Sequence, residues 1–255
     1  MMTYGEKKTF LFMVLHLEGQ SIQDLLGDRK LSPAKSIIFA YRSFKCLEAL
    51  HQMNIVHRDI KHGNFILSGS NNGRILIMDF GLSQIHNKTA AQNRTKTDEL
   101  VGTREFYSLA AHQQLTQTFK DDTEAVLYVL EYLSSETFAF SSDDTLEEIQ
   151  KKKESWRMSG KFFDQLPAKM KDVLKLVDGT PPGDIPNYNA IYNVFITAAA
   201  SLANGFDLEG VGFFPGDDAL LKAQKKFNKT IAKDEGERSK SKSRKRSQSK
   251  SKSRH

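Results

Sequence analysis

The sequence predicts an α+β fold, a mostly helical domain with a small β-hairpin and one separate strand near its start. Three observations carry that expectation. An apolar, aromatic run at 9–17 reads as a buried strand. Two short apolar stretches, at 65–67 and 74–78, flank the loop Ser68-Gly69-Ser70-Asn71-Asn72-Gly73 and read as a hairpin. Elsewhere, apolar residues recur three and four apart, the period of a helix with one buried face.

Glu18-Gly19-Gln20 ends the first strand, and Ser21 with Asp24 forms a Ser-x-x-Asp capping box for a short helix. Ser32-Pro33 starts a second helix, with proline at its first position. Ile37, Tyr41, Phe44, Leu47 and Leu50 give it an apolar face, and Asn54 can end it. A helix at about 122–133 holds Ala125, Val126, Leu127, Val129, Leu130, Tyr132 and Leu133 around nearly its whole circumference, so it should be central and buried. Further helices are expected near 146–154, 169–176 and 188–200. Pro181-Pro182-Gly183-Asp184 marks a loop between the last two.

The chain has 255 residues, 39% of them hydrophobic, which is enough to bury a core and too apolar for wholesale disorder. Its one cysteine, Cys46, excludes a disulfide framework and a cysteine-based zinc site, and reads as an inert buried thiol. No apolar stretch is long enough to span a membrane, and the first residues lack the apolar core of a secretory signal. A soluble intracellular protein, cytoplasmic or nuclear, is expected.

The 37 basic and 31 acidic residues are unevenly spread. Nine of the basic ones lie between Arg238 and His255 with no acidic residue among them, which leaves the body at −3. The body is therefore not expected to bind nucleic acid. The tail, from about 233, alternates Ser with Lys or Arg, has no apolar residue, and is expected to be disordered. It is open to four readings: a solvated tail, a nuclear-import signal, a contact for RNA or an acidic partner, or a row of phosphorylation sites.

Chemistry concentrates between the second helix and the end of the hairpin. His57-Arg58-Asp59-x-Lys61-x-x-Asn64, then a strand ending in Asp79-Phe80-Gly81, gives eight specified positions in order. This is the protein-kinase signature. Phosphoryl transfer depends on positioning and charge neutralisation, and phosphate-bound Mg²⁺ needs hard oxygen ligands. Asp79 and Asn64 offer a carboxylate and an amide oxygen to metal and nucleotide. Asp59 can accept the proton of a substrate hydroxyl, and Lys61 can place a charge on the moving phosphate. His57 and Arg58 are expected to shape the loop.

The resemblance extends to the casein kinase I family, including its tau-tubulin kinase-like branch. Val14-Leu15-His16-Leu17-Glu18-Gly19-Gln20 resembles that family's hinge. Arg58-Asp59-Ile60-Lys61-x-x-Asn64-Phe65, Gly102-Thr103 and Tyr107-Ser108-Leu109-Ala110-x-His112 resemble its catalytic loop and activation-segment end. Asp121-Asp122, Leu166-Pro167 and Pro186-Asn187-Tyr188 also fit, so the likeness covers about 9–200.

The resemblance implies a protein-kinase-like C-terminal lobe and a Ser/Thr kinase that uses ATP and Mg²⁺, with protein substrates. It implies Leu15 as gatekeeper, main-chain bonds from His16 and Glu18 to adenine, Asp24 near the ribose, and Asp122 bracing the catalytic loop. It divides the chain into a residual N-lobe strand and hinge (1–19), a C-lobe with its extension (20–232) and the basic tail (233–255).

Three departures modify the expectation. No Gly-x-Gly-x-x-Gly occurs, Gly210, Gly212 and Gly216 having the wrong spacing, and Lys7 and Lys8 do not fit the missing strand lysine. The alternative reading is therefore a non-catalytic pseudokinase or docking module. On this view the chain alone is a poor kinase, and the strand at 9–17 is a bare apolar edge prone to association. Glu105 stands where the family carries an arginine for acidic substrates, with Arg104 one place early. Lys151-Lys152-Lys153 reads as a solvated helix face, and Trp156 as packed in the core or a groove.

Overall fold

The computed structural model describes residues 3–7, 10–68, 74–93 and 95–202. The basic tail, Gly210 to Gly216, Lys8 and the tip of the hairpin loop lie outside the described residues. The architecture is the expected α+β arrangement: helices around a core, with three small two-stranded sheets among the described residues.

Helix α1 (Ile22–Leu26) is capped by Ser21, whose Oγ accepts from the Asp24 amide at 3.0 Å. Helix α2 (Pro33–Gln52) begins behind Ser32 and ends where Asn54 takes φ 61°, a left-handed conformation that asparagine tolerates. Phe44 of α2 is fully buried, and its ring meets Phe195 at 5.4 Å and Tyr188 at 6.4 Å. Those contacts fix helix α8 (Tyr188–Ala200) against α2. Phe39 meets Phe65 edge-to-face at 5.5 Å, which locks α2 to the hairpin.

The central helix is α5 (Phe119–Ser134). It starts three residues before the predicted position, because Thr118 and Asp121 form a capping box ahead of the apolar run: the Thr118 amide and hydroxyl both donate to Asp121 Oδ2 at 2.7 Å. As expected, it is buried on nearly all sides.

Strand β1 (Thr3–Lys7) pairs antiparallel with β2 (Phe10–Val14), Thr3 opposite Val14. This corrects two expectations. The predicted strand at 9–17 stops at Val14, and one of its edges is hydrogen-bonded because the polar stretch before it forms a strand too. Met13 and Val14 nonetheless stay exposed. Strand β3 (Ile55–Val56) pairs with β6 (Gln84–Ile85), and β4 (Phe65–Leu67) pairs with β5 (Ile75–Ile77), Phe65 opposite Ile77. The β3–β6 ladder and helix α3 (Lys88–Asn93) are too short to leave a periodic signal.

Helix α4 (Leu109–His112) follows a turn at Arg104–Phe106, and helices α6 (Leu146–Ser159) and α7 (Lys171–Asp178) run close to their predicted places. On α6 the solvated-face expectation fails at one residue. Lys151 and Lys152 are exposed, but Lys153 is fully buried. Its Nζ donates to the Tyr107 carbonyl at 2.7 Å and lies 4.3 Å from the centre of the Tyr128 ring. A carbonyl and an aromatic face compensate a buried amine in place of water, while burial pushes its pKa well down. Trp156, one turn on, is half-buried and packs against Phe140 and Phe162 at the edge of the core, within the expectation of a core or groove position. Cys46 donates to the Ile75 carbonyl at 3.1 Å, and burial pushes its thiol up to about 12. Among the described residues no helix is long and apolar enough to cross a membrane.

Glu131 on α5 is 2% exposed and accepts from the Phe163 amide at 2.9 Å. Burial pushes its carboxyl up to about 7. The folded state therefore holds a proton that the unfolded state releases near 4.5, so this group's contribution weakens as pH rises from about 4.5 to 7. Glu131→Gln keeps an acceptor for Phe163 without the buried charge. It should stabilise the protein by about 1–3 kcal/mol at pH 8 and by much less at pH 5, as read from urea unfolding at both pH values.

Candidate active site

The site is built on a stretch without regular structure between β3 and the turn at His62–Asn64. Such a stretch has backbone groups to satisfy, and a single side chain from α5 satisfies two of them. Asp122 Oδ2 accepts from the His57 amide at 2.7 Å, and Oδ1 accepts from the Arg58 amide at 3.0 Å. With those amides held, Arg58 adopts φ 69°, a conformation that costs a non-glycine residue about 1–3 kcal/mol.

Asp59 follows and is 6% exposed. Both carboxylate oxygens have donors. Lys61 Nζ lies 2.7 Å and Asn64 Nδ2 3.1 Å from Oδ2, and Thr103 Oγ1 donates to Oδ1 at 2.7 Å. The Asn64 amide nitrogen also donates to the Asp59 main-chain oxygen at 2.8 Å. Both of its hydrogens thus point at Asp59, which leaves its amide oxygen for another partner.

The Met78 amide donates to the Asn64 carbonyl at 2.9 Å, so the hairpin brings Asp79 beside Asn64. Asp79 is exposed, with φ 66°, and its closest partner is the Gly81 amide at 3.4 Å. His57 does shape the loop: its Nε2 meets the Met78 carbonyl at 3.0 Å, and its Nδ1 accepts from the Asp59 amide at 3.3 Å. The Phe80 ring lies 5.3 Å from the His57 ring and remains half-exposed.

The predicted hinge reaches the same place through β4. The Gly19 amide donates to the Leu67 carbonyl at 2.7 Å, and the Leu67 amide returns a bond to the Gln20 carbonyl at 3.0 Å. His16 is exposed and Glu18 half-buried on the approach to this join. Leu15 and Leu17 are both exposed. Asp24 is exposed at the start of α1 and accepts from Ser21 Oγ at 2.7 Å.

Sequence reasoning missed several partners. The Thr103 hydroxyl on Asp59 is one. Glu99 is another: its carboxylate pairs with Arg58 Nη1 at 2.8 Å while Arg58 Nε donates to the Leu82 carbonyl at 2.6 Å. Gly102 has φ 109°, and a Cβ there would come within 2.5 Å of the Arg58 carbonyl. The proximity of Gly102-Thr103 to the signature is a matter of folding, and no local spacing reveals it. Arg104 turns away and donates to the Ser142 carbonyl at 2.8 Å, leaving Glu105 half-buried beside it.

Asp122→Asn keeps the size of the side chain but places an amide NH₂ against groups that themselves donate. It should destabilise the protein by about 2–3 kcal/mol in urea unfolding and speed hydrogen exchange at the His57 and Arg58 amides. Unchanged exchange at those two amides would contradict the assigned brace.

Against known families, the protein kinase domain matches residues 1–178. The match ends with α7, while α8 beyond it packs on α2 in the same core. Enzymes of this kind generally use ATP and Mg²⁺ and act on protein substrates. With more than half of its length in that match and the signature residues gathered around Asp59, the chain belongs to the protein kinase family.

Proposed function

We propose that this protein is a Ser/Thr kinase of casein kinase I type, with Asp59 as the base. The observation that carries the reading is the set of donors around Asp59. Lys61, Asn64 and Thr103 orient its carboxylate on a loop that Asp122 holds still. Preorganisation of this kind is most of what phosphoryl transfer asks of a protein. A substrate hydroxyl would give its proton to Asp59 as its oxygen bonds the γ-phosphorus and the bond to ADP breaks. Lys61, 2.7 Å from the base, would place its charge on the moving phosphoryl group.

The donor set fits Mg²⁺, which binds a few carboxylate or amide oxygens and completes its shell with water and phosphate. Asp79 and the amide oxygen of Asn64 would hold it. When bound, it would neutralise phosphate charge. His16 and Glu18 would meet adenine through their main chain, Asp24 the ribose, and Leu15 would act as gatekeeper. The casein kinase I assignment draws further support from Ser108, which opens the triplet Ser108-Leu109-Ala110 where other kinases carry Ala-Pro-Glu. Its Oγ donates to Asp121 at 2.7 Å and caps α4 by accepting from the Ala111 amide at 3.0 Å. The partition into a residual strand and hinge (1–19), a C-lobe with its extension (20–232) and a basic tail (233–255) belongs to this reading.

The second reading, a non-catalytic docking module, is favoured by the exposure of Leu15, Leu17 and Phe80. These are apolar side chains of the hinge and the Asp79–Gly81 turn, free to meet a partner.

Two variants separate the readings. Asp59→Asn should lower phosphate transfer to Ser/Thr peptides by about 10²–10⁴ and leave Mg-ATP binding intact. Asp79→Asn should abolish the Mg²⁺-dependent part of ATP binding, as measured by calorimetry. A wild type that neither binds Mg-ATP nor transfers phosphate supports the docking module, and Mg²⁺-dependent ATP binding counts against it. Transfer that survives Asp59→Asn overturns the assignment of the base.

A further inference from the structure

We propose that Tyr188 is a positioning residue for the catalytic loop, acting through His51 to set the hydrogen-bonding state of Asp122. The three side chains come from three helices and are all buried. Tyr188 opens α8, His51 lies in the last turn of α2, and Asp122 lies in the first turn of α5. Tyr188 Oη is 2.6 Å from His51 Nδ1, and His51 Nε2 is 3.1 Å from Asp122 Oδ2. Asp122 is the residue that holds the His57 and Arg58 amides. A hydroxyl on α8, beyond the stretch that matches the kinase family, is thus two hydrogen bonds from the loop that carries Asp59.

The protons follow from the acceptors. An ionised carboxylate has only lone pairs, so His51 Nε2 must carry a hydrogen to bond it. A neutral imidazole then has a bare lone pair at Nδ1, which is buried and needs a donor. The Tyr188 hydroxyl supplies it. Burial, reinforced by the nearby Asp122, holds the Tyr188 phenol well above its usual pKa, so it keeps its proton. The His51 ring packs against Phe119 with centroids 4.6 Å apart and planes tilted by 34°, which restricts its rotation. Without the hydroxyl, Nδ1 loses its donor and the opposite tautomer becomes competitive. That tautomer would turn a lone pair toward Asp122 and weaken its grip on the loop.

The consequence for turnover rests on the reading of Asp59 as base, but the geometry is testable without it. Ring ¹⁵N spectra of the full chain, with the His51 signals identified by their loss in His51→Gln, should show a proton on Nε2 alone. In Tyr188→Phe the His57 and Arg58 amides should exchange roughly fivefold faster, the loss expected of one neutral hydrogen bond. Tyr192→Phe is the control. It removes a hydroxyl one turn further along α8, bonded to Glu48 at 2.8 Å, and should leave those amides unchanged. A wild-type His51 protonated on Nδ1 or on both nitrogens overturns the proposal, and needs no variant to fold. So does unaltered exchange in Tyr188→Phe, or equal acceleration in Tyr192→Phe. A wild type that transfers no phosphate refutes the kinase activity, while the ring spectra and exchange rates still decide the role of Tyr188.

Discussion

One carboxylate bears on the whole site. Asp122 accepts from the two consecutive amides of His57 and Arg58, and its Oδ2 also lies 3.1 Å from Nε2 of the buried His51. The amides belong to a stretch that no helix or ladder satisfies, and an unmet buried amide costs about 1–3 kcal/mol. The α5 capping box places Asp122 where it can serve them. Thr118 and Asp121 begin the helix, and the next residue points at the loop. A change in where α5 starts would therefore displace the loop from His57 to Asn64 as well as the helix.

That anchoring lets the neighbouring backbone remain in conformations it would otherwise avoid. Asn54, Arg58 and Asp79 all have positive φ, and all lie within or beside the site. Asn54 turns the chain out of α2 and its carbonyl accepts from the His86 amide at 2.8 Å. Asp79 turns the chain out of β5, where the Met78 carbonyl faces His57. Arg58 and Asp79 are each flanked by a hydrogen bond to another part of the site. The strain is stored where the surrounding contacts over-determine the geometry.

How much of this was legible depended on range. The signature from His57 to Gly81 is local, and its residues come together because the two hairpin strands pair; the fold class and the central helix were also legible, from apolar periodicity. The partners that orient them were not legible. Thr103 lies 44 residues from Asp59, and Tyr188 lies 137 from His51. No spacing rule reaches across such separations. Lys153 was missed for a different reason. Three successive lysines look like a solvated face, yet only Ile149 and Lys153 of α6 are buried, one turn apart. Position four after a buried isoleucine was the available signal, and the charge masked it.

Arg58 shows why Asp59 and the segment after Gly81 behave as one unit. Its Nε holds the Leu82 carbonyl just past Gly81, and its Nη1 pairs with Glu99 further along. Its own carbonyl lies against Gly102, where no larger residue fits without displacing the backbone, and Thr103 then reaches Asp59. Both ends of the segment thus close on the residue that precedes Asp59. Glu99 is largely exposed, so water and salt weaken its pair with Arg58 more than they weaken the buried bonds around it. The outer end of the clamp is therefore the softer one. Loosening it would reach Asp59 through only two links, the packing of Gly102 on the Arg58 carbonyl and the hydroxyl of Thr103. The segment and the Asp59 carboxylate are thus joined by a continuous chain of contacts through Arg58, Gly102 and Thr103.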